Sequence, residues 1–543
     1  MRFTFLVIAL FYSLTSWAQE PFDHPSDLRW SHEADLGIYP CMDTMKVYGF
    51  KNIIDISLIL PSWRPVVNHD TVAVLEGQIM PIPGHSGYDF GIPHVSFEDL
   101  PLYHYTHDFS FNVFPDQGYR NLLSRYIKIT KDDSGNELRD TVIRDWVHCE
   151  WESGLAAGNR GNKHAEVCRK GGSAGYATAG HERYDVIWNW PTAGDWVHVE
   201  GLWIWDRGHP PAKTEIHPIR LLATRRNLPD KIQSEKGDSV FATRIDIYAN
   251  GDGSAFYNNQ DTGAWAHRVK MSSKDYTFNL LHNLPKPSEN AELNYKLVNQ
   301  KGNTFLEPLD FEVFQSADSN GVNVQIPWKS NNVSDTSILG KTLFLYWDEG
   351  NGVSPSYEIK TYEVSFEKLK IRRLSEVFFL TPAELRLFAE VGGQYIFLNE
   401  YVSNTKDILT AGLGKTIKRN WKINKSFRVH VPTDKVFRVY VGGWEADGVD
   451  KVMGRIVDQY SDCTSDVKNR INDLMLDPTP VGYGGCEDDN MGEAIEYHSP
   501  VNLSEKTKMT ISGDGKPYKE NCPLGKRTPV DFHRLEYSIV EKE

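Results

Sequence analysis

Several features of common protein classes are missing from this sequence. No stretch of 18 or more apolar residues follows the N-terminus, so no conventional transmembrane helix is expected in the mature chain. Basic side chains are in the minority: 59 Lys and Arg stand against 73 Asp and Glu, which gives a formal net charge of −14. That balance argues against unspecific binding to nucleic acid or to an anionic membrane surface. We therefore expect neither a nucleic-acid partner nor a membrane span.

Familiar catalytic motifs are also missing. There is no Gly-x-Ser-x-Gly elbow, no His-Glu-x-x-His helix, no Walker loop and no dinucleotide fingerprint, which disfavours the enzyme classes that depend on them. Six cysteines occur, but none are spaced as Cys-x-x-Cys, so a zinc knuckle or a redox motif is disfavoured as well. The cysteines are better explained as disulfides that staple loops. Proximity favours Cys149–Cys168, and Cys486 with either Cys522 or Cys463.

The N-terminus has the three parts of a secretory signal peptide. Arg2 supplies the positive charge, Phe3 to Leu14 forms an apolar core, and Ser16-Trp17-Ala18 precedes the expected cleavage before Gln19. The core is too short to span a bilayer. Residues 1–18 are therefore predicted to be removed from a bacterial protein that is periplasmic, cell-surface or secreted. Export also permits disulfides.

Short runs rich in Val, Ile, Tyr, Phe and Trp, broken by Gly, Pro, Asn and Asp, predict an all-β protein. One turn-rich segment, Asp132 to Glu137, predicts a β-hairpin. A chain of this length corresponds to about three domains. We expect an N-terminal barrel-like or sandwich domain over residues 19–235, followed by two β-sandwich-like domains over residues 236–373 and 374–543.

Possible metal ligands concentrate near the end of the first predicted domain. Of 18 histidines, 13 lie at or before His217. Strand alternation over Trp196 to Asp206 places Asp206 on a polar face, and Glu215 and His217, two residues apart, share a face of the next strand. Asp206 and His209 flank the turn between these strands. We predict Asp206, His209 and His217 as ligands of a divalent metal ion such as zinc, with Glu215 as a catalytic group. The alternative is a structural polar cluster.

Two further groups extend this hypothesis. His107 and Asp108 are adjacent, and a carboxylate beside an imidazole can orient it for acid–base work. Glu150 and Glu152 share one face of a strand and could act as a general base or as further ligands. We predict His107, Asp108 and Glu150 as catalytic groups. The alternatives are surface histidines and an edge strand protected by charge.

The stretch from Gly194 to Pro218 resembles a segment of exported bacterial proteins of unknown function. The shared pattern is a Gly-Asp…Glu-Gly strand, a Trp-Asp…Gly-His turn and a Thr-Glu-Ile-His-Pro segment. The resemblance covers some 25 residues. It implies a small β-barrel-like domain and brings no known activity.

Together these patterns predict a metal-dependent hydrolase or lyase of an extracellular polymer such as a polysaccharide. A bound divalent ion would lower the pKa of water towards neutrality and so provide a nucleophile. The alternative is a non-catalytic periplasmic or cell-surface protein that binds a glycan through its tryptophans. Trp188 and Trp190, beside Asn189 and Pro191, are the better candidates for exposure, whereas alternation places Trp203 and Trp205 in a core.

Overall fold

The computed structural model describes twenty ranges of the chain: residues 63–65, 72–79, 94–96, 108–123, 125–152, 189, 191–206, 213–250, 274–300, 309–316, 320–333, 338–350, 356–371, 383–398, 409–411, 420–446, 489–490, 494–503, 506–515 and 530–542. Over these residues the protein is all-β, as predicted, with one short 3-10 helix at Gln117–Leu122. No helix within them is long and apolar enough to cross a membrane.

The first eleven strands are β1 (Trp63–Pro65), β2 (Ala73–Ile79), β3 (His94–Ser96), β4 (Asp108–Pro115), β5 (Arg125–Lys131), β6 (Glu137–Ile143), β7 (Val147–Glu152), β8 (Trp196–Asp206), β9 (Lys213–Arg225), β10 (Asp230–Gln233) and β11 (Ser239–Asn250). The next five are β12 (Tyr276–Leu281), β13 (Glu292–Asn299), β14 (Glu312–Gln315), β15 (Gly321–Ile326) and β16 (Ile338–Asp348). The last ten are β17 (Ile359–Ile371), β18 (Ala383–Val391), β19 (Gln394–Phe397), β20 (Leu409–Ala411), β21 (Asn420–Pro432), β22 (Phe437–Ala446), β23 (Asp489–Asn490), β24 (Ala494–His498), β25 (Lys506–Gly515) and β26 (Val530–Lys542).

A five-stranded barrel forms the N-terminal part of the fold. Its strands follow the order β8-β2-β4-β7-β9, and pairing of β8 with β9 closes the ring. All contacts in the ring are antiparallel except that between β7 and β9. Apolar side chains at alternate positions fill its interior, including Leu75, Val113, Cys149, Val199 and Ile216. The N-terminal part of the fold is therefore the barrel of the two predicted forms, and residues 196–206 and 213–218 contribute to its strands β8 and β9.

Beside the barrel, β5 and β6 form the predicted hairpin. The side chain of Asp132 accepts hydrogen bonds from the backbone N–H groups of Ser134 and Asn136, and this holds the turn. Gly135 in the same turn has a φ of 85°, a conformation that favours glycine. Turn chemistry alone was thus sufficient to predict this element.

A second unit is built on an extension of the barrel sheet. Strand β9 pairs with β11, which continues to β16 and β13. A three-stranded sheet of order β12-β15-β14 packs over this extension, and the two sheets share a core that includes Ile247, Phe278, Val324, Trp328 and Leu345. The boundary predicted at 235/236 falls inside the β10–β11 hairpin, so the sheet runs across it.

The third unit is a sandwich of two sheets. One has the order β21-β17-β26-β25 and the other contains β18, β19, β20, β22, β23 and β24. Their shared core includes Val364, Val391, Phe427, Val439 and Leu535. Strand β17 belongs to this sandwich, although its residues precede the predicted boundary at 373/374.

The loop after β9 links all three units. Arg226 donates to Asp195 at 2.8 Å and to Asp246 at 3.0 Å, and these buried ion pairs connect the barrel to its sheet extension. Leu228, two residues later, lies in the core of the third unit. Lys435 of that unit donates to the backbone oxygen of Asn227 at 3.0 Å. The loop therefore fixes the barrel against both neighbouring units.

Candidate metal centre

Strands β7 and β9 bring together a cluster of buried imidazoles and carboxylates. Their parallel register pairs His148 with Glu215, and both strands place a second polar residue two positions further on, Glu150 and His217. The neighbouring strand β4 adds Asn112, which pairs with His148. We call Asn112, His148, Glu150, Glu215 and His217 the metal cluster. Each of these side chains is buried, with relative exposure of 5% or less.

The face of the barrel that carries this cluster follows from strand alternation. Cys149 pairs with Ile216 and with Phe111, and all three are apolar residues of the barrel interior. Their neighbours His148 and Glu215 therefore point to the outer face of the ring. The irregular pairing of β8 with β9 near Gly201 lets this polar face coexist with a closed apolar interior.

The contacts inside the metal cluster are short. His148 Nε2 lies 2.8 Å from Glu150 Oε1, and His217 Nδ1 lies 2.8 Å from Glu150 Oε2. His217 Nδ1 also lies 3.3 Å from Glu215 Oε1. Glu150 thus bridges the two imidazoles. Burial by itself raises the pKa of the Glu150 carboxyl, but His217 and His148 reverse this effect and hold its pKa well below the ordinary value.

Asn112 fixes one side of His148. Its Oδ1 lies 2.8 Å from His148 Nδ1, and because a carboxamide oxygen only accepts, the Nδ1 atom carries the proton of that hydrogen bond. The Nε2 atom of the same ring is consequently the one directed at Glu150. This is the arrangement in which an outer partner orients an imidazole that binds a metal.

The donor set can hold a metal ion. One ligand atom from each of His148, Glu150 and Glu215 lies within 4.8 Å of the other two. Ligands at the usual zinc distances of about 2.0–2.2 Å are about 3.4 Å apart in a tetrahedron, so no two donors need to close by more than about 1.4 Å. Imidazole nitrogen and carboxylate oxygen both suit zinc, and the residues present therefore fit a divalent ion.

Cys149, between two members of the metal cluster in sequence, is not one of its donors. It is a free, fully buried thiol in the barrel interior, so the disulfide with Cys168 suggested by proximity was wrong. Burial, with Glu215 and Glu150 nearby, raises the pKa of this thiol well above its ordinary value. A protonated thiol is a poor metal ligand.

The sequence-based prediction contained part of this cluster. Glu150, Glu215 and His217 were predicted from separate motifs, and the structure brings all three together. His148 received no role and Asn112 was not considered. The signal for His148 was available, because it has the same two-residue spacing from Glu150 that singled out Glu215 and His217. Asn112 gave no signal, since only the β4–β7 register places it beside His148.

The structure describes the other predicted site residues only in part. His107 and His209 lie outside the described residues. Asp108 begins β4, where its backbone pairs with Glu152. Asp206 ends β8, where its backbone pairs with Lys213. The roles of Asp108 as a catalytic group and of Asp206 as a ligand stay predictions.

A second histidine–carboxylate cluster lies elsewhere on the outer face of the barrel. His198 Nδ1 is 2.8 Å from Glu76 Oε1, and His198 Nε2 is 3.3 Å from Glu200 Oε1. Lys274 Nζ forms an ion pair with Glu200, and the His198 ring stacks on Phe278 with centroids 5.0 Å apart. We call Glu76, His198, Glu200 and Lys274 the lysine cluster. It connects the barrel to strand β12.

Fold and site together define an all-β protein with a buried histidine–carboxylate cluster on a five-stranded barrel. No protein-family model matches the chain, and comparison with curated proteins gives no match. Among solved structures, the chain is similar to a C2 domain protein from Ramazzottius varieornatus, with 8% sequence identity and a TM-score of 0.17. That match covers 34% of this chain and 91% of the other. A similarity at this level carries no argument about function.

Proposed function

We propose that the barrel is a divalent-metal-binding domain and that its ion is zinc. The observation that carries the proposal is the convergence of one ligand atom each from His148, Glu150 and Glu215 within 4.8 Å, on a buried face where unpaired charge is costly. His217 contacts two of these three residues and is available as a fourth donor or as a group that orients them. Zinc is favoured because the donors are borderline nitrogen and hard oxygen atoms.

The position of the donors on two strands also favours zinc over other divalent ions. Four side chains come from two adjacent strands whose register is fixed by the barrel, so the chain supplies a preformed and rigid set. Calcium prefers six to eight oxygen ligands on flexible loops, and magnesium keeps several waters. A set that includes imidazoles and is buried from solvent is poorly matched to either ion.

A second candidate function is the metal-dependent hydrolysis or lysis of an extracellular polymer such as a polysaccharide. It is favoured by the number of converging ligands: catalytic zinc sites typically use three protein ligands and leave one position for water or substrate. When bound, zinc supplies a water of lowered pKa and polarises an oxygen of the substrate. His217 would then hold a proton at Nδ1 between Glu150 and Glu215, and the Asn112 oxygen would keep His148 correctly oriented.

Metal content tests the binding proposal. The protein purified without added metal should contain close to one zinc per chain by elemental analysis. Glu150→Gln should lose it, because the replacement removes a ligand charge while it preserves shape. The matched control is Glu200→Gln, which changes the corresponding glutamate of the lysine cluster and should retain the metal. Substoichiometric metal in the wild-type protein, or equal loss in both variants, would contradict the proposal.

The catalytic candidate needs a separate test. Wild-type protein and Glu150→Gln are incubated with a panel of neutral and acidic polysaccharides, and new reducing ends are counted together with absorbance of unsaturated products. Hydrolysis raises only the first signal, whereas lysis raises both. Activity that disappears in Glu150→Gln supports a catalytic ion. A stoichiometric metal with no activity towards the panel leaves the ion with a structural role.

A further inference from the structure

We propose that the outer face of the three-stranded sheet β12-β15-β14 binds a neutral glycan. The site is a row of three side chains that crosses the sheet: Asn279, Asn323 and Phe314. Strand register puts these residues directly beside one another, since Asn279 pairs with Asn323 and Asn323 pairs with Phe314. We call them the amide row. With strands about 4.8 Å apart, the row is about 10 Å wide.

The amide row is on the opposite side of the sheet from the core. Phe278, Val313 and Val324 alternate with the row and belong to, or pack against, the core shared with β11 and β16. Phe314, in contrast, is 51% exposed. An exposed phenylalanine alone is ordinary in soluble proteins. Here its ring stands next to two carboxamides, and that combination is what indicates a ligand.

The two carboxamides are held in position. Asn279 Nδ2 donates to Ser316 Oγ at 2.9 Å and to Asn323 Oδ1 at 3.2 Å. Within the described part of the chain, Asn279 Oδ1 and Asn323 Nδ2 have no hydrogen-bond partner. The row therefore presents one fixed acceptor and one fixed donor side by side. Because these amides already restrain each other, less rotamer entropy is lost when they bind a ligand.

A sugar ring has the complementary chemistry. Its rim of neighbouring hydroxyls can donate to one amide and accept from the other, and its C–H face can cover an aromatic ring. The adjacent row adds the exposed Thr277, together with Gln325 and the exposed Glu312. These groups extend the polar surface along the strands, in the direction in which a polysaccharide chain would continue.

Charge narrows the choice of glycan. Glu312, two residues from Phe314, is exposed, and the whole chain has a net charge of −14. An acidic polysaccharide or a nucleic acid would bring its negative charges towards the exposed carboxylate of Glu312. We therefore infer a neutral polysaccharide. The proposal is independent of the metal site, which lies on other strands and uses different side chains.

Affinity gel electrophoresis of the full chain tests this site. The gels contain a soluble neutral β-glucan, galactomannan or xylan, with alginate as the acidic comparison. At least one neutral polysaccharide should retard the protein and alginate should not. Phe314→Ala and Asn323→Ala should each weaken that retardation by at least tenfold in apparent Kd. Tyr497→Ala is the matched control, because Tyr497 is 59% exposed in the third unit, and it should behave as wild type.

Three results would overturn the glycan proposal: no retardation by any of the neutral polysaccharides, retardation by alginate only, or retardation that survives both Phe314→Ala and Asn323→Ala. A fourth is retardation that chelator abolishes in the folded protein, since that would place the contact at the metal cluster. Failure of the metal proposal has a separate signature, because it shows as absent zinc while glycan retention is unchanged.

Discussion

Two His-x-Glu pairs occur on the outer face of one barrel, and the groups that surround them differ. In the metal cluster His148 and Glu150 meet a second imidazole and a second carboxylate, His217 and Glu215. In the lysine cluster His198 and Glu200 have the same spacing, and Glu200 meets the ammonium group of Lys274. The histidine Nδ1 has a partner 2.8 Å away on the neighbouring strand in both clusters, Asn112 in one and Glu76 in the other.

The comparison shows that a buried His-x-Glu pair on a strand can have either of two roles, depending on the groups around it. A carboxylate placed in the low-dielectric interior must meet a positive charge or a strong donor. The chain provides a tethered cation for Glu200, the ammonium group of Lys274. At the metal cluster, the additional imidazole and carboxylate make a donor set for an ion from solution. We therefore propose that the same motif is structural in one place and metal-binding in the other.

Removal of the metal is expected to have the largest effect on stability, and this effect should depend on the metal cluster alone. Chelator should lower the free energy of unfolding of the barrel by about 4 kcal/mol if zinc is present at about a thousand times its Kd. In Glu150→Gln the chelator should have no further effect, because no ion remains to be removed. Thermal melting with and without chelator measures both. A wild-type melt that is unchanged by chelator would contradict the proposed role of the metal cluster.

A second prediction compares the partners of the two histidine Nδ1 atoms, Asn112 in the metal cluster and Glu76 in the lysine cluster. Asn112→Ala removes the acceptor from His148 Nδ1 and should weaken zinc binding by about 10–100-fold, the usual effect of losing the outer partner of a metal-binding histidine. Competition with a chromogenic zinc chelator measures the change. Glu76→Gln is the matched variant at the lysine cluster, and its zinc affinity should equal that of wild type. Equal affinities in Asn112→Ala and wild type would show that the hydrogen bond has no such role.

A smaller effect is expected from removing the tethered cation. Lys274→Met leaves Glu200 buried without its ammonium partner and should cost about 2 kcal/mol of stability. This is below the effect of breaking a fully buried pair, because Lys274 is 39% exposed and partly screened. Zinc content should stay at wild-type stoichiometry. Urea denaturation measures the stability and elemental analysis measures the zinc content. A loss of zinc in this variant would contradict the proposal that zinc binding does not depend on the lysine cluster.

The smallest effect is a pH dependence of the lysine cluster. Burial of His198 by itself lowers its pKa, but Glu200 and Glu76 reverse this and raise the pKa above the ordinary value. The protonated ring therefore adds stability that is fully present below about pH 6.5 and is lost as the pH rises through the raised pKa. Glu76 and Glu200 have lowered pKa values, so their contribution is lost only in acid.

Urea midpoints between neutral and alkaline pH measure this dependence. The wild-type midpoint should fall over this range more steeply than that of His198→Gln, which has no titrating ring. The two carboxylates that contact the ring, Glu76 and Glu200, have lowered pKa values and stay ionised over this range. Tyr119, which donates to Glu76, has its pKa raised to about 12 by burial and by Glu76. Parallel curves for the two proteins would show that His198 does not titrate as described.

Much of this arrangement was predictable, and the limits have a physical origin. Period-two patterns and turn residues were enough for the all-β fold and for the hairpin at Asp132, because both depend on local backbone preferences. The spacing of Glu215 and His217 correctly indicated a shared strand face. Their partners Glu150 and His148 are more than 60 positions away in the chain, and the parallel β7–β9 pairing that joins them is set by barrel closure.

For the same reason, the sequence could not show which of the two clusters is the better candidate for a metal site. His198 and Glu200 lie in the Gly194 to Pro218 stretch, from which metal ligands were predicted. The residue that neutralises Glu200, Lys274, lies in a different unit and gives no local signal. Glu150 and Glu152 were also consistent with a charged edge strand. The structure instead places β7 between β4 and β9, where His148 and Glu150 are buried.

X-ray absorption at the zinc K edge of the purified protein tests the central claim most directly. The account predicts a shell of nitrogen and oxygen at about 2.0–2.2 Å, with imidazole scattering that weakens in His148→Asn and is unchanged in His198→Asn. A sulfur shell, or an imidazole signal that depends on His198 and not on His148, would contradict it.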